Sequence, residues 1–149
     1  MLVNVASSAD LVDWMTDMSN RIRIELRIPA SAAHIATVRT VAADLAGRQD
    51  FDLDGIHDFR MAVDEACAQL VTHAATESTL RCMFIVAPEQ IDVIAAVRVD
   101  APVTLATNTF GWQVLSTLTE VVEPVYLPDG EAPELAIRLR VRRDRIAGA

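Results

Sequence analysis

IHDFRMAVDEACAQLVTHAA, residues 56–75, is the longest clean helical pattern in the chain and holds its densest cluster of chemically usable side chains. Ile56, Phe59, Val63, Cys67, Leu70 and Ala74 recur at three- and four-residue steps, so they share one side of an α-helix, and that side must be buried. On another line of the same helix Glu65, Gln69 and His73 follow at i, i+4 and i+8, and their heads project in one direction beside the apolar face. A carboxylate, a carboxamide and an imidazole thus share a rim. Polar residues beside an apolar helix face are commonly just a solvated border, so spacing alone leaves solvent and site both open.

Outward from this helix, strand and helix patterns succeed one another. Residues 21–28, RIRIELRI, put Ile22, Ile24, Leu26 and Ile28 on one face and the charges on the other, a half-buried strand that Pro29 is expected to stop. Ser31 is the expected N-cap of a helix through Arg48, with Ile35, Val38, Val41, Ala42 and Leu45 inward and Gly47 at or just past its end. The acid-rich loop GRQDFDLDG, 47–55, suits the positive N-terminus of the central helix, with Asp54 as its expected cap. Residues 80–86 and 91–99 read as a hairpin turning at Pro88. Residues 111–122 carry Val114, Leu115, Leu118 and Val121 at helical spacing, and two strands follow around the turn at Pro128, Asp129 and Gly130. The order β-α-α-β-β-α-β-β lacks the strict alternation of a parallel sheet. It predicts an α+β fold, a two-layer α/β sandwich with a mostly antiparallel sheet and helices on one face. Residues 21–149 are assigned to that domain. Residues 1–20 are read as an N-terminal extension in which Leu11, Trp14, Met15 and Met18 could line one side of a short helix.

Length and charge narrow the function classes. A chain of 149 residues fits one domain with a single core. Its net charge of −8 repels a phosphate backbone and argues against direct nucleic-acid binding. Five arginines fall in residues 138–145, but LAIRLRVRR alternates at period two, so they read as the solvent face of a strand rather than a basic patch. The start of the chain has no basic n-region and meets Asp10 and Asp13 before any long apolar run, so a soluble protein without signal peptide or membrane anchor is expected. Cys67 falls in an apolar repeat where a reduced thiol packs as a hydrophobe, which makes the cytoplasm the default compartment. Whether Cys67 and Cys82 approach each other for a redox role stays open at this level.

The string DEACAQLVTHA, 64–74, resembles the E-x-C-x-N-A-x-x-H segment on the central helix of the anti-sigma-factor serine kinases, members of the histidine-kinase-like ATPase superfamily. The resemblance implies the (Bergerat) sandwich of that superfamily over roughly residues 22–143. It implies Glu65 as catalytic base and Gln69 as nucleotide-site residue and magnesium ligand. Gln69 stands where the family has Asn, and the extra methylene displaces the amide oxygen in a way that octahedral magnesium tolerates poorly. His73 matches the family's histidine, though a lone His on a helix flank also serves as a structural hydrogen-bonding group. Asp100 takes the place of the adenine-reading Asp of D-x-G-x-G, but Pro102 and Thr104 occupy both glycine positions, so Asp100 is either that reader or an ordinary strand-end acid. Thr109, Phe110, Gly111 and Trp112 stand for G-x-G-[LF], keeping Gly111 as the nucleotide-site glycine. Ten residues separate Asp100 from Gly111, too few for a phosphate-covering lid.

By resemblance the protein is an anti-sigma factor of the general-stress and sporulation type found in Gram-positive bacteria. It would sequester an RNA-polymerase sigma factor and be released by an anti-anti-sigma partner. Arg39 falls where the family's sigma-contacting arginine lies, beside the Ile35, Val38, Ala42 and Leu45 stripe; the plain reading is a solvated arginine. A homodimer is also implied. ATP or ADP with Mg is the implied cofactor, while the eroded glycines point to none. The rival is an active serine-protein kinase that phosphorylates its antagonist using Glu65 and Mg-ATP.

Overall fold

The computed structural model describes residues 21–128 and 132–143, so the expected helix within residues 1–20 and the Asp129 and Gly130 turn positions lie outside the described residues. Strands β1 (Ile22–Pro29), β2 (Thr79–Ala87), β3 (Gln90–Arg98), β4 (Val121–Leu127) and β5 (Glu134–Arg142) pair antiparallel in the order β1-β2-β3-β5-β4. A 3-10 turn (Ala32–His34) and helices α1 (Ile35–Arg48), α2 (Leu53–His73) and α3 (Phe110–Leu118) complete the described elements. The α+β sandwich and its element order are as the patterns predict. Ile24, Leu26 and Ile28 of β1 and Leu80, Cys82, Phe84 and Val86 of β2 turn to the same side as Val38, Phe59, Val63 and Leu70 of the helices, and these share one core. Phe59 and Phe84 meet edge to face at 6.4 Å across the two layers. No helix among the described residues is long and apolar enough to cross a membrane.

Element ends differ from the sequence reading where capping, not periodicity, decides them. Pro29 is the last residue of β1 rather than a stop before it, which an edge strand permits because one row of its N–H groups needs no partner. Ser31 caps the 3-10 turn, its Oγ accepting from Ala33 N at 3.3 Å, and α1 starts only at Ile35. Gly47 lies inside α1. The helix closes instead with a Schellman motif in which Asp50 takes a left-handed φ of 60°, and Phe51 N and Asp50 N donate to Ala46 O and Gly47 O at 3.1 Å. α2 is capped by Asp52 and not Asp54: Asp52 Oδ1 accepts from Gly55 N at 2.7 Å, so the helix begins before the apolar repeat. Its first turn is invisible to periodicity because Leu53 is 84% exposed. α3 stops at Leu118, and Val121 and Val122 enter β4, where β-branched residues fit a pleated surface. Thr119 ends α3 with its Oγ1 donating to Leu115 O at 2.6 Å.

The arginines of β5 are not simply a solvent face. Arg138 pairs with Glu123 at 2.6 Å and Arg140 with Asp92 at 2.7 Å, and the two arginine side chains are only 16% and 20% exposed. Neighbouring strands supply the acids through the register, Arg138 opposite Glu123 and Arg140 opposite Asp92.

Candidate functional site

α2 lies across the sheet with Ala62, Val63, Ala66, Cys67 and Leu70 buried, and this seating turns Glu65 and Gln69 towards α3 as half-buried residues. One turn apart, they bond to each other: Gln69 Nε2 donates to Glu65 Oε2 at 2.9 Å. Above them is the first turn of α3. A Cβ at Gly111 would stand 2.6 Å from Glu65 Oε2 and 2.8 Å from Gln69 Nε2, so this glycine lets helix backbone rest directly on the pair. The acid, the amide and the glycine named from the sequence therefore form one contact. Thr109 has its own reason to replace a glycine: it is the N-cap of α3, its Oγ1 accepting from Trp112 N at 3.1 Å. The Glu65 carboxylate also lies beside the positive end of α3, where a helix N-terminus favours an anion.

The remaining positions are more scattered. His73 is the last residue of α2 and is exposed, as is Asp100 just beyond β3. Between Asp100 and α3 the chain forms no helix or strand; Val99 and Leu105 pin it by burial. Its residues Pro102, Val103, Thr104 and Leu105 line a cavity of about 280 Å³ together with Pro124 and Tyr126 of β4. The segment in the lid's position is thus folded back beside the edge strand.

Arg39 reaches from α1 to α2 and pairs with Asp64 at 3.2 Å, both side chains about 40% exposed. Sequence reasoning did not find Asp64 as its partner, since the contact exists only after α1 and α2 dock. One turn before Asp64 lies Met61, 41% exposed, and it borders a cleft of about 510 Å³ with Phe110, Gln113, Val114, Thr117 and Leu118. Phe110 is 80% exposed. A charged pair and an apolar cleft therefore adjoin on the outer side of the helix layer, a surface the sequence signalled only through Arg39. Inside the layer, Cys67 and Cys82 do approach, with Sγ atoms 3.9 Å apart and both residues fully buried. Their mutual hydrogen bond, followed by burial, pushes the Cys67 thiol well above its ordinary range.

The sequence profile of the histidine kinase-like ATPase domain matches residues 28–107, which include the end of β1 and all of α1, α2, β2 and β3. The anti-sigma-F factor RsbW of Mycobacterium tuberculosis (strain ATCC 25618 / H37Rv) is 31% identical over 113 residues, covering 76% of this chain and 66% of that protein. The serine-protein kinase RsbW of Bacillus cereus (strain B4264) is 34% identical over 76 residues, 50% of this chain and 48% of that protein. The serine-protein kinase RsbW of Bacillus thuringiensis (strain Al Hakam) is 42% identical over 55 residues, 37% of this chain and 34% of that protein. The chain thus spans 66% of the length of its mycobacterial relative and about half or less of the two bacillar ones.

Proposed function

The chain belongs to the histidine kinase-like ATPase family, on the branch of anti-sigma factors and serine-protein kinases, and from that premise we propose that it is an anti-sigma factor acting by binding. It sequesters an RNA-polymerase sigma factor and is released from it by an anti-anti-sigma partner that competes for the anti-sigma factor. The observation that carries the reading is the seat of α3 on Glu65 and Gln69. A metal-bound nucleotide held in the family's manner does not fit these residues. Gln69 turns its amide nitrogen to Glu65, and the two side-chain ends lie so close under the α3 backbone that they occupy the space a Cβ at Gly111 would need. Pro102 brings a fixed φ and no N–H to a position where the resembled pattern has glycine. A general base must also come within about 3 Å of the hydroxyl it serves, and here the first turn of α3 crowds Oε2 of the half-buried Glu65 carboxylate.

The outer side of the helix layer supplies what a binding function needs. Exposed Phe110 and Met61 offer apolar anchors, and Arg39 with Asp64 offers a charged pair that a partner's carboxylate can exchange into. Affinity capture from the native cell, with mass spectrometry of what co-elutes, tests the proposal when run with and without Mg-ATP. A sigma factor is expected in both eluates in similar amount. Its absence overturns the anti-sigma reading. Calorimetric titration with Mg-ATP or Mg-ADP should give weak binding or none; a dissociation constant in the low micromolar range, with phosphoryl transfer to a captured antagonist lost in Glu65→Gln, would favour the rival serine-protein kinase.

A further inference from the structure

A helix on the surface of a domain should carry charge on its outer side, and α3 does not. Its residues, FGWQVLSTL, include no charged side chain. One side is buried through Trp112 and Leu115, while Phe110, Val114 and Leu118 recur at i, i+4 and i+8 on the outer side. A helix that is apolar on both sides is normally covered on both. Here Phe110 is 80% exposed, and Val114 and Leu118 are only half-buried. With Met61 of α2 and with Gln113 and Thr117, they line the cleft of about 510 Å³. The cleft follows α3, whose nine residues run for about 13 Å. Apolar side chains at i, i+4 and i+7 of another helix span about 10 Å and fit that length.

The neighbouring side of α2 gives the cleft a sign. Asp54 and Asp58 precede Met61 by seven and three residues, so they lie on its side of the helix. Neither has a hydrogen-bond or ion-pair partner among the described residues, whereas Asp64, one turn further on, is held by Arg39. We propose that the cleft receives a basic amphipathic helix of a partner protein. Its apolar stripe lies on Phe110, Val114 and Leu118, and its lysines or arginines face Asp54 and Asp58. An extended peptide is a poorer occupant. The walls are helices with no strand edge to pair with, while an incoming helix satisfies its own N–H and C=O groups. A second copy docked about a two-fold axis would set Asp54 and Asp58 against themselves. The inference rests on the reading of the chain as a binding module and names the chemistry that the module recognises.

p-Benzoylphenylalanine at Phe110 of the 15N-labelled full chain, irradiated in an unlabelled lysate of the native cell, tests the assignment by mass spectrometry of the crosslinked peptides. Because Phe110 is mostly in solvent, the substitution spares the fold. Crosslinks are expected to one partner segment that has net positive charge and apolar residues at i, i+4 and i+7, and the same probe at Met61 should trap the same segment. Asp54→Lys/Asp58→Lys should cut the yield severalfold, whereas the equally charged Asp44→Lys/Glu89→Lys, on acids outside α2 and α3, should leave it unchanged. Equal yields from the two double variants, crosslinks only to this chain, or no crosslink would overturn the proposal. A sigma factor that co-elutes but is crosslinked through an acidic or non-helical segment also overturns it, and leaves the anti-sigma reading standing. A basic amphipathic helix trapped from another protein, with no sigma factor co-eluting, supports the cleft assignment and removes the anti-sigma reading.

Discussion

Replacing Gly111 with alanine sets two effects of known sign against each other. Alanine favours a helix over glycine by up to about 1 kcal/mol. Its Cβ, however, would enter at 2.6 Å from Glu65 Oε2, 2.8 Å from Gln69 Nε2 and 3.2 Å from Glu65 Cδ. Both side-chain ends can yield, but only by giving up their own 2.9 Å hydrogen bond or by lifting the first turn of α3, and overpacking of this kind costs about 1–3 kcal/mol. A middle value of about 2 kcal/mol leaves a net loss near 1 kcal/mol in the parent protein. In a Glu65→Ala/Gln69→Ala background the obstacle is gone, and the same Gly111→Ala change should instead stabilise by up to about 1 kcal/mol. The coupling between the sites is then about 2 kcal/mol, well above what distant sites show. Urea unfolding of the four proteins, followed by far-UV circular dichroism, measures it. A coupling below about 0.5 kcal/mol would mean that α3 does not rest on the Glu65 and Gln69 pair, and the occluded-site argument would fall with it.

Three further outcomes are expected. Because the Cys67 thiol is held above its ordinary range, chiefly by its hydrogen bond with Cys82, the folded state keeps a proton that the unfolded state releases. Stability is therefore full below the unfolded thiol's pKa and falls as pH rises past about 8.5, by up to about 1.4 kcal/mol per pH unit. The chain contains no lysine, so few other groups titrate there, and Cys67→Ala should flatten the slope in urea melts from pH 8 to 11; an unchanged slope refutes the assignment. Asp92→Ala strands Arg140 on the second face and should cost about 3 kcal/mol, lowering Tm by roughly 6–12 °C in calorimetry, whereas a loss under 1 kcal/mol would mean that the pair is solvated. Arg39→Ala removes a surface pair and should change stability by less than about 1 kcal/mol, yet weaken sigma-factor binding about thirtyfold, on the order of 2 kcal/mol. Arg39→Lys should restore only part, and dissociation rates by surface plasmon resonance that match the parent in both variants place the contact elsewhere.

What could be read from the chain was whatever one element declares by itself. The stripe of Val38, Ala42 and Leu45 and the repeat of Phe59, Val63, Cys67 and Leu70 are buried as their periods demand, because a helix has one way to present them to a sheet. Element ends were less legible: Asp52 and Asp54 are equal candidates in DFDLDG, and only the hydrogen bond from Gly55 N chooses between them. The site divides along the same line. Glu65 and Gln69 share a helix, so their proximity follows from i, i+4 spacing, whereas the arrival of Gly111 from another helix, of Arg39 at Asp64 and of Cys82 at Cys67 depends on docking, for which one sequence carries no period.

One signal was present and read too simply. LAIRLRVRR alternates and suggests a wet strand face, but IDVIAAV, its partner in the register, does not, and a strand whose neighbour is apolar on both sides cannot have one of its own faces fully wet. Pairing two strands joins their faces, so the neighbour's pattern bears on each assignment. Arg138 and Arg140 stand beside Ile94 and Asp92 on a buried surface, and their acid partners are what allow charge to remain there.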